Sequence, residues 1–74
     1  MAYMITIKTY EREYTEHIYG IKEAIDRIKI IAECDNVQTI DCVNSSNGVI
    51  VLSVVDEEID WVDMDEIKRG KEQV

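Results

Sequence analysis

Residues 49–55, Val-Ile-Val-Leu-Ser-Val-Val, are apolar at six of seven positions. A strand covered on only one face alternates apolar and polar residues, because successive side chains point to opposite sides of the sheet. This stretch does not alternate. Ile50, Leu52 and Val54 fall on one side, and Val49, Val51 and Val55 on the other. The fold has to cover both sides, since a bare apolar patch of that kind is rare on a monomer.

One cover is plain in the sequence. Ile21, Ala24, Ile25, Ile28, Ile31 and Ala32 recur at helical spacing and form one apolar face. Lys22, Glu23, Asp26, Arg27, Lys29 and Glu33 fill the opposite side, with Lys22–Asp26 and Glu23–Arg27 as i,i+4 pairs. Ile30 lies off the apolar face and is expected to be exposed. A single helix shields one valine set only. The other set needs the C-terminal segment (Ile59, Trp61, Val62, Met64), a second copy of the chain, or a partner.

The remaining elements are short. Residues 3–10 alternate, with Tyr3, Ile5 and Ile7 on one face, and read as a strand. Residues 14–19 are aromatic and β-branched and read as its hairpin partner, turned by Glu11-Arg12-Glu13. A rival reading starts the helix at Thr15, but places Gly20 inside it at a cost of ~1 kcal/mol. Residues 37–43 form a strand, and Asn47-Gly48 is a strong hairpin signal joining it to 49–55. The expected fold class is α+β: a four-stranded antiparallel sheet in ββαββ order with one helix on one face. After it comes either a fifth edge strand, with Ile59 and Trp61 alternating with Glu58 and Asp60, or a short helix over Asp63–Arg69. Residues 1–69 form one domain and 70–74 a frayed tail.

The net charge of −8 lies wholly in the second part of the chain. Residues 1–31 hold five acids and five bases, whereas 32–74 hold eleven acids and three bases. Binding to nucleic acid or to an anionic membrane needs a basic footprint and is not expected. Neither a membrane-spanning run nor a signal peptide is visible, so the expected location is cytoplasmic. Seven acids crowd residues 56–66. As a calcium loop this run fails, because the sixth position is Trp61 and the twelfth Ile67 where glycine and glutamate are required. As paired catalytic carboxylates it lacks two contrasting environments. His17 with Cys34 or Cys42 has no third, orienting residue and no zinc spacing. No enzyme activity, metal or cofactor is expected.

The acidic run also reads as a solvated edge that keeps a small domain soluble, and beside that reading stand two binding modes. In the first, Asp56, Glu57, Glu58, Asp60, Asp63, Asp65 and Glu66, with Trp61 as aromatic anchor, form a surface for a basic protein. In the second, Val49, Val51, Val55, Ile30 and Tyr19 form a homodimer interface. The helix Ile21–Glu33, the following Asn36-Val37 and the Asn47-Gly48 hairpin together resemble small phage and mobile-element proteins that set a short helix between two hairpins. The resemblance covers roughly residues 3–55 and rests on architecture. Some such acidic proteins, anti-CRISPR inhibitors among them, block a host nuclease or mimic its nucleic acid. It therefore implies an inhibitor or regulator of a basic, nucleic-acid-binding host protein.

Overall fold

The computed structural model describes residues 1–72 of the chain. Among these, five strands and two helices follow one another: β1 (Ala2–Thr9), β2 (Glu13–Tyr19), α1 (Ile21–Ala32), β3 (Val37–Asn44), β4 (Ile50–Val55), β5 (Glu58–Val62) and α2 (Met64–Glu72). The strands make one antiparallel sheet in the order β2-β1-β3-β4-β5. The α+β class stands as expected. The four-stranded, one-helix version is corrected: the C-terminal segment supplies both a fifth strand and a second helix.

Local chemistry explains each junction. The β1–β2 turn is organised by Thr9, whose hydroxyl accepts from Arg12 N–H at 3.0 Å while Thr9 N–H donates to Arg12 C=O at 2.8 Å. Residues 13–19 are strand, so the helix-from-Thr15 alternative is set aside. Gly20 is the only residue between β2 and α1, and it turns the chain at a φ of 88°, a region closed to most L-residues. Asp63 caps α2: its Oδ1 accepts from Glu66 N–H at 3.1 Å. Gly70 belongs to α2 and is pressed against the sheet. A Cβ there would lie 2.6 Å from the Tyr3 hydroxyl and 3.1 Å from Ile21 Cβ. Residues 70–72, expected as tail, are thus part of a docked helix, and 73–74 lie outside the described residues.

The core lies between the sheet and the helices. Tyr3, Ile5 and Ile7 of β1, Ile40 and Cys42 of β3, and Ile21, Ala24, Ile28 and Ile31 of α1 are all buried. Ile67 of α2 joins them. The valine-rich strand is handled by a bulge. Cys42 pairs with Leu52 and Val43 with Ile50, so Val51 is the extra residue. Strict alternation is broken there. Val51 enters the core at 0% exposure together with Leu52 and Val54, while Ile50 turns out to 46%. The expected grouping of Ile50 with Leu52 and Val54 is therefore wrong, as is Val51 as an interface residue. One bulge and α2 remove most of the demand for an external cover.

Candidate protein-binding interface

The register fixes which side chains share the face opposite the helices. Residues directly paired across strands point the same way. Three rows result: Met4, Val43 and Ile50; Thr6, Asp41, Ser53 and Trp61; Lys8, Thr39, Val55 and Glu58. No described element covers this face. Trp61, at one end of the middle row, is 54% exposed, with Ile50 and Val55 in the rows on either side at 46% and 39%. Its ring N–H donates to Ile50 C=O at 3.2 Å, which holds the indole across β4. Beneath it in the row, Ser53 donates its hydroxyl to Asp41 Oδ1 at 2.7 Å, so a buried hydroxyl is satisfied within the sheet.

The acids expected to act as one comb are divided by the fold. Asp56 and Glu57 are the two central residues of the β4–β5 turn, both with positive φ (49° and 69°), as a type I′ hairpin requires. Glu58 and Asp60 lie on β5 and are exposed, as is Asp65 in the first turn of α2. Asp63 is spent as a helix cap. Glu66 is only 6% exposed and is a structural acid: Arg69 Nη1 lies 2.8 Å from Oε1 and Asn44 Nδ2 is 3.4 Å from Oε2. Four acids, Asp56, Glu57, Glu58 and Asp60, thus remain exposed on the β4–β5 hairpin, with Glu58 on the Trp61 face and Glu57 at the concavity on the helix side.

Of the residues assigned to self-association, Val55, Ile30 and Tyr19 are exposed, Ile30 as expected from the helical spacing at 58% and Tyr19 at 79%. Val49 is half-buried in the β3–β4 loop. These four do not form one patch: Val55 lies on the uncovered sheet face, Ile30 on α1, Tyr19 at the far edge on β2, and Val49 in the loop.

A concavity of about 270 Å³ lies between α1, β4, β5 and α2. Its walls are apolar, including Ile25, Ile28, Leu52, Val54 and Ile59, with Lys29 and Glu57 as its charged residues. No family model, curated protein or solved structure matches the chain.

The pairing of His17 with Cys42 fails on geometry. His17 pairs with Met4 and so lies on the uncovered face, whereas Cys42 is in the core on the helix face. The sheet separates them. Burial pushes the Cys42 thiol up to about 11, which keeps it protonated and inert at neutral pH. Cys34 is exposed just after α1. Among the described residues no three His, Cys, Asp or Glu side chains converge as metal ligands, and no helix is long and apolar enough to cross a membrane.

Sequence reasoning singled out Trp61, which the structure places half-exposed on the uncovered face, but did not foresee Ile50, Val43 and Met4 on that face. No residue type at 49–52 announces a bulge, and without it the parity of Ile50 is read the wrong way.

Proposed function

We propose that this chain is a non-enzymatic binding module that inhibits or regulates a basic protein through the β4–β5 hairpin and the uncovered sheet face. The observation that carries the reading is Trp61: a half-exposed indole on a bare sheet face, held in place by a hydrogen bond, on a hairpin that also carries the exposed acids Asp56, Glu57, Glu58 and Asp60. Interfaces draw their energy from such aromatic anchors, and surrounding charges set the partner's sign and speed encounter. The acids select a basic partner, and Ile50 and Val55 extend the apolar contact. A nucleic-acid-binding protein of the host fits this chemistry, in line with the architectural resemblance to phage inhibitors.

The test is capture from host lysate by the wild-type chain and two variants, followed by affinity measurement on the captured protein. Trp61→Ala is expected to weaken binding by ~2 kcal/mol or more, as for a central anchor. Reversing Asp56, Glu57 and Glu58 to lysine is expected to abolish it, and added salt to weaken it steadily. Binding that is indifferent to the triple reversal and to salt would overturn the assignment.

A further inference from the structure

The two edges of the sheet differ in how they are protected. β5 has five residues, a register shift opposite Ser53 and Val54, and exposed acids at Glu58 and Asp60. Short length, bulges and charge are what keep a strand edge from pairing. β2 has seven residues in unbroken register with β1, from Lys8↔Glu13 to Ala2↔Tyr19, with neither proline nor lysine; of its two acids Glu13 lies at one end and Glu16 is paired with Arg27. It is the outermost strand, and no described residue pairs with its free side.

Its free hydrogen-bonding groups can be assigned. Thr9 N–H donates to Arg12 C=O at one end of the hairpin, and Gly20 N–H donates to Met1 C=O at the other. Bonded and non-bonded pairs alternate along an antiparallel ladder. Tyr14, Glu16 and Ile18 therefore exchange bonds with β1, while Glu13, Thr15, His17 and Tyr19 direct N–H and C=O outward.

We propose that β2 pairs antiparallel with β2 of a second copy, about a two-fold axis at Glu16. This register sets Glu13 against Tyr19 and Thr15 against His17. All four outward residues of each copy are matched, giving eight hydrogen bonds in an isologous contact. An axis at Thr15 or His17 leaves residues at one end of the strand without a partner and closes only six. On the helix side Tyr14 meets Ile18, both half-buried in the single chain. Glu16 meets its twin, but each carboxylate is already held by Arg27 through two contacts of 2.9 Å, so opposite charges alternate across the axis. The product is a continuous ten-stranded sheet with all helices on one side. Its two Trp61 surfaces lie on the other, nine strand spacings or roughly 40 Å apart. The pairing uses no residue of the Trp61 surface and stands or falls separately from the proposed function.

Sedimentation equilibrium of the full chain at high micromolar concentration tests it. Wild type is expected at twice the 8.6 kDa chain mass, with dimerisation tightening as salt screens two chains of like charge. Thr15→Pro removes one outward N–H without touching the β1 ladder, a placement that edge strands tolerate. Thr15→Glu adds to the like charge at the same place in both copies while keeping the backbone donor. Both are expected at the single-chain mass with an unchanged circular-dichroism spectrum, whereas Trp61→Ala remains a dimer. A wild-type monomer in high salt, a dimer that persists in both Thr15 variants, or one lost only on Trp61→Ala overturns the proposal.

Discussion

Glu16 links β2 to α1 through a two-pronged contact with Arg27, eleven residues later in the chain. The hydrogen bond from that guanidinium holds its carboxyl below the usual glutamate range, against the opposing effect of partial burial. A carboxyl with a lowered folded-state pKa adds stability above its unfolded pKa of ~4.3 and loses that contribution as pH falls through the lower folded value. The Arg27 side chain is 42% exposed, so solvent screening limits the pair to ~1 kcal/mol or less. Glu16→Gln is expected to be less stable by up to that amount at neutral pH, the gap closing below pH ~4. Urea melts of both proteins at a series of pH values measure it, and a gap that stays constant down to pH ~3 would show that the charge contributes nothing. The sequence did not reveal this pair. Helical spacing suggested Glu23 as the partner of Arg27, whereas the sheet brings Glu16 within reach.

The β4–β5 hairpin shows at the level of an element what sequence reading finds and what it misses. Alternation at Ile59 and Trp61 pointed to a fifth strand, and β5 is there, but a register shift at Asp60 places the two residues on opposite faces rather than one. The tight turn before it was invisible, because Asp56-Glu57 carries none of the glycine or asparagine that a type I′ turn favours. Likewise the apolar periodicity of 21–32 located α1, while the bulge at Val51 left no trace in residue type. Glu57 adopts a φ of 69°, in the left-handed region that costs an L-residue ~1–2 kcal/mol. Glycine relieves that strain but loses more chain entropy on folding, ~0.5–1 kcal/mol. Glu57→Gly is therefore expected to raise stability by about 0.5–1 kcal/mol. Since the urea m-value reports the surface exposed on unfolding, the midpoint should rise with m unchanged. A lower midpoint would mean that Glu57 makes a compensating interaction at the turn.

At the scale of the whole molecule, a charge of −8 is confined to a body of 35 × 20 × 19 Å. Against this repulsion stand three ion pairs among the described residues: Lys22–Asp26, Glu16–Arg27 and Glu66–Arg69. Salt acts on both, with opposite signs. At ~0.01 M the screening length is about 30 Å, so nearly every charge feels every other; at ~0.15 M it is about 8 Å and only neighbours interact. The pairs have contacts of 2.8 to 3.1 Å, well inside either length, and lose little over that range. The long-range repulsion loses most of its strength. Thermal stability is therefore expected to rise between those two salt concentrations and then level off. A gain of ~1 kcal/mol corresponds to about 4–8 °C in Tm for a domain of this size. Scanning calorimetry of Thr15→Pro, which keeps the net charge, at low micromolar concentration isolates the effect from self-association. A Tm that falls across the same range would place the ion pairs above the net charge in holding the fold together.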